Sequence, residues 1–187
     1  MTTTHLPASI TELNGTYVLD GSHSQLGFIA RHAMVTKVRG AFNGVSGTAT
    51  IDGSNPAASS LNVTVETATV DTRSEQRDGH LKSADFFDVE NFPEITFVGT
   101  GFAVDGDEVE VTGDLTIKGV THPLTIPFEF TGAAIDPFGN ERVGFEGSVV
   151  VNRKDWNLTW NAALETGGVL VSEKVTLAFD ISAIKQA

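Results

Sequence analysis

The chain has 187 residues, a length that suits a single domain with its own core. It carries 24 acidic against 12 basic residues, for a net charge of −12, and this excess of negative charge argues against nucleic acid as a partner. Cysteine is absent, which excludes disulfides, thiolate nucleophiles and zinc–thiolate sites.

The first predicted element is a mostly polar arm. We expect residues 1–13 to be flexible and to precede a barrel domain that covers residues 14–187. The stretch Met1–Thr16 has no Lys or Arg and no apolar run of the kind found in secretory leaders. Nowhere does the chain contain the ~20 apolar residues that a membrane helix needs. The sequence therefore predicts a cytoplasmic protein without integral membrane association.

Apolar and polar residues alternate at period two through the N-terminal half, which is the pattern of half-buried strands. Tyr17-Val18-Leu19 begins the first predicted strand. The next strand places on one face the residues Leu26, Phe28, Ala30, His32 and Met34. Further along, the apolar parity slips by one residue near Glu66-Thr67, and a β-bulge would account for the slip.

One interval breaks the strand pattern. Thr72-Arg73-Ser74-Glu75 has the spacing of a capping box and predicts one or two short helical turns that end before Pro93. Arg77, Asp78 and His80 follow, and such a charged cluster could be catalytic. Because these residues follow a helix cap, we interpret them instead as a network that holds the helical insertion against the end of the barrel.

The C-terminal half contains the clearest alternation. Between residues 108 and 118 the inner face of the predicted strand consists of Val109, Val111, Leu115 and Ile117, with Gly113 in phase. Pro123 and Pro127 fall on the outer face of the following strand, which predicts an edge strand or a poorly paired start. A second irregular stretch, residues 152–168, holds Trp156 and Trp160.

These elements predict an all-β antiparallel fold of about eight or nine strands, either a closed barrel or a sandwich, with one or two short helical insertions. A barrel of this size is either filled by side chains or holds one small ligand, and periodicity alone leaves both alternatives open. In a hollow barrel the candidates for ligand contact are His32, Trp160 and the in-phase apolar side chains. The latter are Phe28, Phe42, Leu115, Ile117, Ile126, Phe128, Phe130, Phe145, Val149, Leu177 and Phe179.

His32 and the two tryptophans each have a structural interpretation beside the functional one. His32 could donate to the polar head of a ligand, or it could be a core histidine bonded to backbone. Trp156 and Trp160 could form a lid at the barrel mouth, or they could seal one end. The histidines match no metal-ligand spacing and no nucleophile motif is present, so we expect neither a metal site nor catalysis.

Dispersed motifs along most of the chain, from Tyr17 to about Ala183, point to a known family. They are Asp20-Gly-Ser-His-Ser24 with Phe28 and His32; Gly40-Ala-Phe42; Arg77-Asp-Gly-His80-Leu81; Asp85-Phe-Phe-Asp88 with Pro93, Ile95 and Phe97; residues 113–121; Arg142-Val-Gly-Phe145; and Asn152-Arg-Lys-Asp155 with Trp160. In their order and spacing the chain resembles the YceI-like family of polyisoprenoid-binding proteins. One position departs from the family pattern, because Trp156-Asn157 stands where members usually carry Phe-Gly.

The resemblance implies an extended, antiparallel, lipocalin-like β-barrel of about eight strands around a long hydrophobic tunnel for an isoprenoid chain. The expected function is therefore binding, storage or transport of an isoprenoid-type lipid, such as an isoprenoid quinone or a polyprenyl derivative, with no cofactor other than a bound isoprenoid or fatty lipid. Two alternatives remain at this stage: a lipid-modifying or metal-assisted enzyme that uses the His, Arg and Asp groups, and a stress or interaction protein with a packed barrel. A homodimer is compatible with the expected function and with both alternatives.

Overall fold

The structure is a computed structural model that describes residues 5–187, and it consists mainly of antiparallel strands with one α-helix, α1 (Glu75–Lys82). Short 3₁₀ turns cover Ile10–Glu12, Pro56–Ala58, Thr67–Thr69 and Arg153–Trp156. The strands are β1 (Asn14–Leu19), β2 (Gln25–His32), β3 (Thr36–Phe42), β4 (Val45–Asp52), β5 (Ser60–Glu66), β6 (Val70–Asp71), β7 (Glu94–Asp105), β8 (Glu108–Ile117), β9 (Val120–Ile135), β10 (Glu141–Asn152) and β11 (Lys174–Lys185).

Eight of these strands close into a barrel, which confirms the predicted fold class. Around the ring the order is β1-β4-β5-β7-β8-β9-β10-β11, and β11 pairs again with β1 through Tyr17–Lys185 and Leu19–Ala183. The remaining strands β2, β3 and β6 continue from the same edge of β11. We call the end where β1 begins the lower end, and the end where β2 finishes and β11 begins the upper end.

Strand β8 illustrates how the sequence pattern becomes the barrel wall. Val109, Val111 and Leu115 are buried, whereas Glu108 and Asp114 are exposed. Because successive side chains of a strand point to opposite faces, every second residue of β8 faces the interior. The period-two prediction for this strand is confirmed.

Strand β9 is paired on both sides, so the prediction of an edge strand is wrong. It pairs with β8 over its first part and with β10 only from Phe128 onward. Residues 120–127 therefore have a partner strand on one side alone, and the alternative prediction of a poorly paired start is confirmed. Pro123 and Pro127 both lie in this half-paired part, where a missing N–H donor costs little.

The parity slip at Glu66-Thr67 is not a β-bulge. Strand β5 ends at Glu66, and a 3₁₀ turn over Thr67–Thr69 leads into the short strand β6. Thr67 is buried, and its hydroxyl donates to the carbonyl oxygen of Phe92 at 2.9 Å. A turn of three residues changes the apolar parity as a bulge would, so the sequence could not distinguish the two.

Helix α1 begins two residues later than the capping box predicts. Its N-cap is Ser74, whose hydroxyl accepts a hydrogen bond from the Arg77 N–H at 3.3 Å. Thr72 is buried instead, and its N–H donates to the Asp78 carboxylate at 2.8 Å while its hydroxyl accepts from Arg77 Nε at 2.8 Å. These bonds tie the helix to the end of β6, as the interpretation of this cluster as a holding network requires.

Within the described residues, no helix has the length and apolar character needed to cross a membrane.

The residues before β1 belong in part to the core. Ile10 and Leu13 are 4% and 1% exposed, and the Leu13 carbonyl accepts a hydrogen bond from the Gly53 N–H at 2.8 Å. Two apolar residues in an otherwise polar stretch are a weak signal, so the prediction of a flexible arm over residues 1–13 is wrong for this part of the chain. The packed part of the chain thus begins at Ile10; residues 1–4 of the predicted arm lie outside the described residues.

Candidate functional site

The barrel interior contains an elongated cavity of about 340 Å³, within the range of pockets that hold small ligands. At the lower end it reaches Ile10 and Leu13, and at the upper end it reaches Leu81, Phe86 and Val171. It therefore extends from one end of the barrel to the other. The packed-barrel alternative requires a filled interior, which the barrel does not have.

Most of the predicted ligand-contact residues lie on the wall of this cavity. They are Phe28, Phe42, Leu115, Ile117, Ile126, Phe128, Phe145, Leu177 and Phe179. Several of the aromatic rings contact one another along the wall: Phe28 and Phe42 on the paired strands β2 and β3 have ring centroids 5.8 Å apart, and Phe128 and Phe179 meet over Gly147 at 5.7 Å. The wall is thus formed by rings and aliphatic groups from strands on all sides of the barrel.

Three predicted residues are packed beside the cavity and not on its wall. Phe130 is buried, and its ring lies 5.5 Å from that of Phe145. The register between β9 and β10 shifts at this point and leaves Thr131 without a partner, and such a bulge re-aims the neighbouring side chains. Val149 is half-buried against the core, and Trp160 is half-buried above the cavity.

His32 is exposed and does not line the cavity, which corrects the expected inward placement of its ring. The residue is the last of β2, and Leu26, Phe28 and Ala30 on the same face do line the cavity. Parity therefore identified the correct face of the strand. It could not reveal that the β2–β3 hairpin extends past the point where the barrel still encloses space.

A large part of the wall consists of residues that the sequence pattern does not predict. Ile95, Phe97, Phe102 and Val104 of β7 line the cavity, although a register shift between Gly99 and Gly101 interrupts their alternation. Others come from irregular segments, where period-two analysis has no power: Ile10, Leu13, Leu81, Phe86, Phe87, Trp156 and Leu158. Their signal was the presence of large apolar residues in segments that otherwise looked polar or helical.

Two irregular segments meet over the upper end of the cavity. The ring of Trp160 packs edge-on against His80 at 4.5 Å and lies 5.5 Å from Phe86. His80 is held in turn by a hydrogen bond between its Nε2 and the Asp85 carboxylate at 2.9 Å. The helical insertion and the loop after β10 thus cover the upper end together through aromatic contacts.

Trp156 seals the barrel wall below this cover. It is 3% exposed, and its Nε1 donates to the carbonyl oxygen of Leu115 on β8 at 2.9 Å. Asn157 follows with φ +59, in the left-handed region, where Asn is the residue best tolerated after Gly. The pair Trp156-Asn157 therefore keeps a turn that Phe-Gly would also form.

Arg153 is a buried cation on the cavity wall that is bound by carbonyl groups. It is 5% exposed, and its guanidinium donates to the carbonyl oxygens of Ser172 at 2.8 Å, Leu158 at 2.5 Å and Val171 at 3.3 Å. Burial lowers the pKa of this guanidinium from its usual value. These bonds fasten the loop that follows β10 to the start of β11, so Arg153 holds the cover in place.

Tyr17 has the buried side-chain oxygen without a hydrogen-bond partner in the described part of the chain. The residue is 1% exposed and contributes to the lower cavity wall. Burial raises the pKa of its hydroxyl, and the negative charge of Glu141 raises it further. An unsatisfied buried hydroxyl costs stability.

An ion network joins the β1–β2 turn to the β9–β10 turn. Arg142 donates to the Asp20 carboxylate at 2.6 Å and to the Asp136 carboxylate at 2.8 Å. Hydrogen bonds from Ser22, then from Arg142, hold the pKa of Asp20 well below its usual range, and Asn140 followed by Arg142 does the same for Asp136. The network is part of the barrel frame and lies outside the cavity wall.

Among residues 5–187, no group of three or more acidic or His side chains could hold a metal ion.

The chain is similar in sequence to a known family of proteins. The family model described as the YceI-like domain matches residues 17–183. The protein YceI of Escherichia coli O157:H7 is 38% identical over 167 residues, which are 89% of this chain and 84% of that protein.

Solved structures share the fold. Burkholderia cenocepacia BcnA superposes with a TM-score of 0.77 at 24% identity, covering 88% of this chain and 98% of BcnA. A polyisoprenoid binding domain from Saccharophagus degradans, implicated in plant cell wall breakdown, superposes with a TM-score of 0.71 at 16% identity, covering 91% of this chain and 98% of that one. At these identities the likeness establishes a common barrel architecture.

Proposed function

The chain belongs to the YceI-like family, and from this premise we propose that it binds, stores or transports a long isoprenoid-type lipid inside the barrel. The observation that carries the proposal is the elongated cavity whose wall is formed almost entirely by apolar side chains. The polyisoprenoid binding domain of Saccharophagus degradans, with the same architecture, supports an isoprenoid as the ligand class.

The shape of the cavity favours recognition of the ligand tail. Burial of each methylene is worth about 0.8 kcal/mol, so a five-carbon prenyl unit contributes about 4 kcal/mol before the cost of ordering the chain. Affinity should therefore rise with the number of prenyl units until the cavity is filled. Within this class we propose an isoprenoid quinone or a polyprenyl derivative.

The proposed role is that of a non-enzymatic carrier. Arg77 and Asp78, the residues that an enzymatic alternative would use, are engaged in bonds that hold α1. His80 is packed between Phe86 and Trp160.

The cytoplasmic location stays a prediction from sequence, which fractionation of cells that express the protein would test.

The test is chemical identification of what the protein carries. The purified protein is extracted with organic solvent, and the extract is analysed by mass spectrometry. A prenyl lipid in near-stoichiometric amount is the expected result. If the extract holds none, and the delipidated protein also fails to retain added prenyl alcohols of any length, the proposal is wrong.

A further inference from the structure

The turn between β2 and β3 presents apolar side chains to solvent. Met34 is 64% exposed and Val35 75%. Ala33 and Met34 both have positive φ, +50 and +63, a conformation that favours Asn and Gly and strains other residues. We call residues 33–35 the hairpin tip. It holds apolar side chains in a strained turn where polar residues would fit more easily.

Unpaired cations lie beside the hairpin tip. Arg31 on β2 lies directly opposite Lys37 on β3, and like charges in this arrangement destabilise a strand pair. Lys174 is on the other side of Arg31, two residues beyond the pair formed by Thr176 and Ile29. None of the three cations forms an ion pair with a carboxylate in residues 5–187. Arg31 Nη1 donates to the Val35 carbonyl at 3.1 Å, which keeps its charge at the tip.

The segment that contains the hairpin tip carries no acidic residue. No Asp or Glu occurs between residues 21 and 51, although the chain has 24 acidic residues. Directly paired positions across β7 to β11 form an acidic row: Asp105, Glu108, Glu129, Glu146 and Asp180. Asp180 is six residues from Lys174, about 20 Å along the strand, which is about two Debye lengths at physiological salt.

Two acidic residues do occur in the segments that flank the tip. Glu173 is paired with Lys154 at 2.6 Å, so its charge is neutralised. Glu165 lies in the turn whose Gly168 is contacted by the Met34 sulfur. The cations beside the tip thus outnumber the free carboxylates on the segments packed around it.

Protection of an edge strand explains only part of this pattern. Within the described chain, residues 36–40 of β3 pair with β2 alone, and Lys on such an edge discourages aggregation. This accounts for Lys37. It does not account for Arg31 and Lys174 on strands that are paired on both sides, or for the exposed Met34 and Val35, which would promote aggregation.

We propose that the hairpin tip docks on an anionic lipid bilayer, with Met34 and Val35 entering the interface and Arg31, Lys37 and Lys174 contacting lipid head groups. The cavity reaches this end of the barrel, because Ala30 lines it and Val171, another wall residue, bridges to His32. Docking therefore brings the upper end of the cavity against the membrane. The inference extends the proposed function by naming the surface from which a lipid would be collected.

The experiment is flotation of the delipidated protein with vesicles at 150 mM salt. One set of vesicles is pure phosphatidylcholine, and the other contains 30% phosphatidylglycerol. We expect binding to the anionic vesicles only. The double variant Arg31→Gln/Lys37→Gln should bind about 25-fold more weakly, at about fivefold for each charge removed. Met34→Ser/Val35→Ser should bind about tenfold more weakly.

The matched control is Phe138→Ser, because Phe138 is 88% exposed in the β9–β10 turn at the lower end of the barrel. This variant should float like the parent. The proposal is overturned if the parent does not float with anionic vesicles, if the tip variants float as well as the parent, or if the tip instead joins two copies and light scattering shows a dimer that the tip variants lose. Prenyl retention is measured separately on the same variants, so docking and ligand binding can fail independently.

Discussion

Replacement of Val111 by Phe distinguishes a hollow from a filled barrel through both stability and ligand length. Val111 is 6% exposed, lines the cavity and is paired with Phe102 on one side and Ile126 on the other. Phe adds roughly four carbon atoms, whose burial in open apolar space is worth up to about 3 kcal/mol. In a filled core the same ring would overpack and cost about 1–3 kcal/mol.

The cavity predicts that the ring enters the open space, so the free energy of unfolding from urea titration should stay level or rise. Because the added atoms occupy about the space of one prenyl unit, the longest prenyl alcohol that the protein retains should shorten by about one unit. Glu110→Phe is the matched control, since Glu110 is the exposed neighbour on the same strand. If Val111→Phe lowers stability by more than about 1 kcal/mol, or if both variants keep the parent's length limit, the reasoning from the cavity is refuted.

Further predictions concern the frame around the cavity. Tyr17→Phe removes a buried hydroxyl that has no hydrogen-bond partner among residues 5–187, so the free energy of unfolding from urea titration should stay level or rise by up to about 1 kcal/mol. A loss of stability in this variant would mean that the hydroxyl is bonded. Asp20 and Asp136 have folded-state pKa values below the ordinary 3.8. The stability they contribute is therefore complete above about pH 5 and is lost as the pH falls further, because the unfolded chain then binds more protons. Arg142→Met should lose less unfolding free energy than the parent between pH 5 and pH 2. Urea titrations that give the same loss for both proteins over this pH range would contradict the expectation. Trp156 lines the cavity, so a bound prenyl ligand should change the fluorescence of its indole ring, and Trp156→Phe should abolish that change. The same substitution should lower the stability of the protein, because it removes the hydrogen bond from the indole N–H to the Leu115 carbonyl.

The sequence predicted the regular part of the barrel well because strand faces follow from simple alternation. Val109, Val111 and Leu115 on β8 point inward as their period requires. The same rule failed at Glu66-Thr67, where a turn of three residues and a bulge give identical patterns.

The candidate site was predicted less completely, because a cavity depends on where the wall ends as well as on which face a residue occupies. His32 has the parity of Phe28 but lies past the enclosed region. Ile10, Phe86 and Trp156 line the cavity from segments without a regular period. Their positions depend on how irregular segments pack against the barrel ends, which local sequence does not encode.

Closure of the barrel by β1 and β11 has a kinetic consequence. The pair formed by Tyr17 and Lys185 joins the first barrel strand to the last, so the ring cannot close until nearly all of the chain between them is in place. Contacts between residues so distant in sequence form slowly, since the entropy of a very long loop is lost before the contact is gained. Until then the inner faces of the other strands remain open to water, a state in which chains readily associate with one another. The cavity is therefore enclosed only at the last step of folding, when the seam between the two terminal strands has formed.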